Sequence, residues 1–181
     1  MLWIIIVAII LVAIIFFYYF NRFAVLGNRI ENSLSQINVQ LKRRADLIPN
    51  LIQTVKGFAK HETAAIKAVT DARKALVSAK GVDKKVKADD QLQSALKSIF
   101  AIAEGYPDLK ANTNFLELQR ELSSTEDKVA YARQFYNDST LSYNLLHQTF
   151  PGNMFAKIYG EKKREYLQIT ESEKKNIKVE F

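Results

Sequence analysis

From Leu2 to Phe20 the chain runs through nineteen residues without a charge, an amide, a Gly or a Pro. At ~1.5 Å of rise per helical residue this run spans roughly 28 Å, about the thickness of a bilayer's hydrocarbon core. The segment reads as a transmembrane anchor. Trp3 near one end and Tyr18 and Tyr19 near the other carry amphipathic rings that settle at headgroup level, and Asn21 and Arg22 end the run after Phe20. A cleaved signal peptide is the first alternative, but it needs a basic start, a shorter apolar stretch and a small-residue cleavage site. A buried core helix is the second.

Orientation follows from the basic residues close to the span. Only the amino terminus precedes it, whereas Arg22 and Arg29 follow it closely, with Lys42, Arg43 and Arg44 farther on. The positive-inside rule then predicts an external N-terminus and a cytoplasmic body.

Beyond the anchor, about 160 residues suffice for one domain with a modest core. The chain has no Cys, which excludes a disulfide framework, a thiolate metal site and a thiol nucleophile. Its formal net charge is +7, which suits a body beside an anionic lipid surface. Nucleic acid is not expected as a partner, because the cations are interspersed with 19 acidic residues and the aromatics fall at core-like spacing.

Apolar residues recur in steps of three and four at Phe23, Leu26, Ile30, Leu34, Ile37 and Leu41, so the membrane helix continues out of the bilayer as a stalk. At Asp46-Leu47-Ile48-Pro49 a break is predicted, with Asp46 capping a new helix; one unbroken helix kinked at Pro49 is the alternative. The second helix carries Leu51, Val55, Ala59, Ile66, Val69 and Leu76 to Gly81. A third runs from about Asp83 to Glu104, and Gly105-Tyr106-Pro107-Asp108 is a turn. A fourth begins near Thr113 or Asn114, either of which can cap it, and Phe150-Pro151-Gly152 stops it. The second and fourth helices, roughly 34 to 36 residues each, match in length at ~50 Å. The expected fold is all-α: a transmembrane helix continuing into an antiparallel bundle of about four long helices, with a short C-terminal helix and tail. The corresponding segments are an anchor at 1–20, stalk and bundle at 21–150, and a short amphipathic helix and tail at 151–181.

Catalytic patterns are not evident. His61-Glu62 begins like a zinc-protease helix, but position 65 is Ala and not the second His that one metal-binding face needs. The six Gly are scattered singly, so there is no phosphate loop and no serine elbow. Asp89-Asp90 and the pair Glu171 and Glu173 read as solvated surface. No enzyme activity, metal or cofactor is expected.

Three stretches remain as contact candidates. Lys42-Arg43-Arg44 reads first as a solvated turn near a helix C-terminus and second as a protein contact. Arg120, Glu126, Arg133 and Asn137 belong to a long polar run that reads as surface pairs such as Glu117 with Arg120, or as an inter-helix or inter-subunit network reaching Asn50 and Gln53. Met154, Phe155, Ile158 and Tyr159 form a short apolar face edged by Lys157, Lys162, Lys163 and Arg164. That face either caps the bundle's end or dips into the membrane interface. After it, Asn176 to Phe181 alternates like an extended strand.

The block from Asn38-Val39-Gln40-Leu41-Lys42-Arg43-Arg44-Ala45-Asp46-Leu47-Ile48-Pro49-Asn50 to Leu51-Ile52-Gln53-Thr54-Val55-Lys56-Gly57 resembles the signature of the LemA family. His61-Glu62, Val69-Thr70-Asp71-Ala72-Arg73, Tyr106-Pro107-Asp108-Leu109-Lys110-Ala111-Asn112, Phe115 through Glu121, Tyr136-Asn137-Asp138 and Phe150-Pro151 extend the resemblance over almost the whole chain. It departs where Tyr159-Gly160-Glu161 stands in place of the family's usual Gly-Phe. The resemblance implies a bacterial single-pass membrane protein with a helical bundle, and no catalytic residues. The functional expectation is a non-enzymatic membrane scaffold that self-associates or docks other membrane proteins. An adaptor for a membrane protease or envelope signalling system, and a membrane-remodelling protein, are the alternatives.

Overall fold

The computed structural model describes residues 1–167. Six helices follow one another: α1 (Leu2–Phe58), α2 (Thr63–Ser78), α3 (Val82–Ala103), α4 (Pro107–Lys110), α5 (Thr113–Gln148) and α6 (Gly152–Tyr159). There is no strand among the described residues, and the fold is the expected helical bundle. The alternating stretch at 176–181 lies outside them. The chain divides into two compact units, one of residues 1–35 with 132–166 and one of residues 36–131 with Leu167.

The second unit is an up-down four-helix arrangement whose register is given by its polar contacts. Asn38 with Lys85 and Arg44 with Asp89 ascend together, so α1 and α3 run parallel. Gln93 with Glu126 and Phe100 with Phe115 run in opposite senses, so α5 is antiparallel to α3. The connections between α1 and α2 and between α2 and α3 are three or four residues long, as antiparallel neighbours require. Ile48, Leu51, Val69, Leu92 and Leu109 are fully covered at the centre. Buried positions recur at three- and four-residue steps along a helix, as at Ile66, Val69, Ala72 and Leu76 of α2 and at Leu92, Leu96, Ile99 and Ala103 of α3, so each of these helices turns one apolar stripe inward.

In the first unit α1 carries the apolar run, exposed along 2–20 except at half-buried Phe16 and Tyr19. The run gives the chain a membrane location. Phe23, Leu26 and Ile30 beyond it are buried, and Phe23 meets the Tyr143 ring of α5 edge-on at 5.5 Å. The stalk's apolar stripe is therefore covered by the chain's own helices over this stretch.

Three boundaries differ from expectation. The predicted break at Asp46–Pro49 is absent and α1 runs through Pro49 without interruption. Pro49 has no N–H for the Ala45 carbonyl four residues earlier, but Arg73 of α2 donates its Nε–H to that oxygen at 2.8 Å. A side chain from the neighbouring helix thus satisfies the group that would otherwise favour a break. The second boundary was missed: the predicted long second helix is interrupted at Ala59–Glu62. There the Ala59 carbonyl accepts from the Glu62 N–H at 3.2 Å, and the Glu62 carbonyl accepts from Ile66 N–H to start α2. The apolar stripe skips from Ala59 to Ile66, so no inward residue holds the intervening turn in a helix. Third, neither Thr113 nor Asn114 caps α5; the Asn112 Oδ1 accepts the Phe115 N–H at 3.0 Å.

Candidate functional site

Arg44 occupies an inward position of α1. Ile37, Leu41, Arg44, Ile48, Leu51 and Val55 follow each other in alternating steps of four and three, so the arginine sits on the stripe that faces the core. It is 2% exposed. Its Nη1 donates to Asp89 Oδ1 of α3 at 2.9 Å and its Nη2 to Glu126 Oε2 of α5 at 3.3 Å. Gln93 Nε2 donates to the other Glu126 oxygen. One guanidinium therefore joins three helices, and its fork geometry suits two carboxylates at once. The solvated reading of Lys42-Arg43-Arg44 and of Asp89 fails for Arg44 and Asp89, because both lie on inward stripes and the Arg44 charge is balanced internally. Arg43 does remain half exposed and pairs with Glu121 at 2.7 Å, and Lys42 is exposed.

The second unit also carries two open grooves. One, of about 360 Å³, is lined by Leu47, Asn50, Gln53 and Thr54 of α1 with Asn114, Glu117, Leu118 and Glu121 of α5. It places Asn50 and Gln53 beside Glu117 and Glu121 of α5, whereas Arg120, Glu126, Arg133 and Asn137 do not line it. The other, of about 530 Å³, places Lys56 and Lys60 beside Lys67 and Lys74, with Asp71 the one acid among them. This cationic groove went unnoticed in the sequence. Its signal was the i,i+4 spacing of Lys56 and Lys60 and the i,i+7 spacing of Lys67 and Lys74. At the nearby turn the Tyr106 hydroxyl donates to Glu62 at 2.9 Å, which raises the phenol pKa by holding its proton against a carboxylate.

In the first unit α6 packs on the end of the apolar run. Phe155 stacks on Tyr19, with ring centres 4.8 Å apart and planes 8° from parallel. Tyr159 meets Phe16, Phe20 and Phe23 edge-on at 5.1, 5.6 and 6.2 Å, and its hydroxyl donates to the Phe16 carbonyl at 2.6 Å. Met154 and Ile158, on the adjacent stripe of α6, remain exposed. Gly152 sits at the start of α6 because a Cβ there would lie 2.2 Å from the Leu146 carbonyl oxygen.

Residues 160–166 then lie along α5. Gly160 takes the left-handed conformation that ends α6, at φ 70°. Asn144 grips the segment with both faces of its amide, donating to the Arg164 carbonyl and accepting from the Arg164 N–H, each at 2.9 Å. Tyr136 donates to the Glu165 carbonyl at 3.0 Å, and Tyr143 donates to the Glu161 carboxylate under the Arg164 guanidinium. Burial, followed by the Glu161 bond, pushes the Tyr143 phenol up to about 12.

Of the remaining candidates, Arg120 is exposed and Arg133 and Asn137 are half-buried on α5. Trp3, Tyr18 and Phe20 are exposed on the apolar run. Among the described residues no group of three or more His, Asp or Glu side chains is placed to hold a metal.

The sequence profile of the LemA family matches residues 33–181. Magnetosome protein MamQ of Magnetospirillum gryphiswaldense is 25% identical, over 82% of this chain and 64% of that protein. MamQ 1 of Paramagnetospirillum magneticum is 24% identical with the same coverage. Protein LemA of Metamycoplasma hominis is 30% identical over 72% of this chain and 60% of its own length. The chain thus spans less than two thirds of the length of these relatives.

Proposed function

Because the chain belongs to the LemA family, we propose that it is a non-enzymatic, membrane-anchored scaffold whose helical bundle associates with further copies of itself. One observation carries the reading: the helix that bears the apolar run is also the helix that supplies Arg44 to the bundle, with no linker between them. A chain built this way ties whatever binds its bundle to a lipid surface. The external N-terminus inferred from Arg22 and Arg29 would put that surface on the cytoplasmic side. The MamQ relatives are named magnetosome proteins.

The polar groove between α1 and α5 favours a second reading, an adaptor that holds one partner protein. Asn50, Gln53 and Asn114 are exposed there and offer amide donors and acceptors free of the core. The mass of the full-length protein, extracted gently from its own membrane, separates the two. A homomeric assembly supports the scaffold, and a defined complex with a different protein supports the adaptor.

A further inference from the structure

The apolar surface left bare by α6 has a definite place along the membrane helix. Tyr159 bonds the backbone at Phe16 and touches the rings of Phe16 and Phe20, so α6 lies level with the last turn of the apolar run. Four residues of helix separate Phe16 from Phe20, a rise of about 6 Å. A body at that level sits roughly as deep as an interfacial helix, which buries its apolar face about 5–10 Å into the headgroup and acyl boundary.

The side of α6 turned away from α1 suits that depth. Phe155 and Tyr159 are used against α1, while Met154 and Ile158, four residues apart on one stripe, are 54% and 63% exposed. Phe150, just before α6, is 79% exposed. Lys157, Lys162 and Lys163 are exposed beside them. An apolar face with a basic edge, adjoining a transmembrane segment, matches an anionic bilayer surface in both hydrophobicity and charge.

We infer that α6 and the Phe150 turn form a second, interfacial membrane contact: Phe150, Met154 and Ile158 enter the boundary layer, and Lys157, Lys162 and Lys163 meet lipid phosphates. The chain is then held by a span and by a helix lying in the interface on the same side as residues 21–35. Tyr19 and Phe20 do not simply anchor the span in headgroups; they form the platform that sets the helix at its depth.

The chain lacks Cys, so single cysteines report one site each. Full-length protein carrying Ile158→Cys is spin-labelled and reconstituted in vesicles of phosphatidylcholine with phosphatidylglycerol. Val12→Cys, within the apolar run, gives the lipid reference. Asn32→Cys, twelve residues beyond Phe20 on α1 and exposed, gives the aqueous one. The label at 158 is expected to collide with oxygen more often than the one at 32, though less often than the one at 12, and to be shielded several-fold from a water-soluble nickel relaxant relative to the one at 32. Met154→Cys should behave alike. Nickel accessibility at 154 and 158 equal to that at 32 overturns the inference and leaves α6 as a cap on the bundle's end.

Discussion

Arg44 shows why a charged residue is hard to place from sequence. Its neighbours Lys42 and Arg43 are exposed, and a run of three cations suggests solvent. The step pattern through Leu41 and Ile48 nevertheless put Arg44 on the inward stripe, as the steps through Val86 and Leu92 put Asp89. Periodicity was the stronger signal, but it cannot name the partner, because the meeting of α1, α3 and α5 is a tertiary fact. Removing one member of a buried pair strands the other charge, so Arg44→Ala is expected to destabilise the protein by about 3–5 kcal/mol. Arg44→Met combined with Asp89→Leu should recover most of that loss in denaturant unfolding. Tyr143 has a pH signature. Its ordinary pKa of 10.0 rises to about 12 in the fold. Between these values the unfolded chain binds fewer protons than the folded one, so stability falls as pH rises across that window. Tyr143→Phe should remove this component, seen as a shallower decline in melting temperature from pH 10 to 12 than in the parent protein.

Among the elements, α3, α5 and α6 were legible in their stripes and stop signals, and α1 was legible as far as Leu41, its passage through Pro49 being only the alternative reading. Pro49 read as a break because the sequence shows the missing donor and not the replacement, which Arg73 brings from α2. The two residues should be coupled. Arg73→Met leaves the Ala45 carbonyl without its donor and is expected to cost about 1–3 kcal/mol. In a Pro49→Ala background the residue at 49 regains an N–H for that carbonyl, so the same Arg73→Met change should cost measurably less. A double-mutant cycle by chemical denaturation reads the difference. Equal costs in both backgrounds would mean that Arg73 acts elsewhere. The seating of α6 depends on Gly152, where an added methyl meets the Leu146 backbone. Gly152→Ala should therefore destabilise by about 1–3 kcal/mol, as overpacking does, with a lower melting temperature of the full chain as the readout.

For the whole molecule, the apolar run and the helical class were both readable at once, since nineteen uncharged residues and sustained three- and four-step stripes admit few other outcomes. The contact surfaces were readable only in fragments. Asn50 and Gln53 were named with the α5 polar run, but a groove exists only when two helices face each other. The stripe at Phe23, Leu26 and Ile30 is covered by the chain itself, so a second copy is not needed to bury it. The proposed association would use the exposed faces of the apolar run and the bundle surface. The central claim is therefore tested most directly by native mass spectrometry of the full-length protein released from its own membrane in mild detergent or lipid particles. The account predicts a homomeric assembly, at a mass that is a multiple of the single chain's 20.7 kDa. A lone chain at every concentration, carrying nothing but lipid, would contradict it.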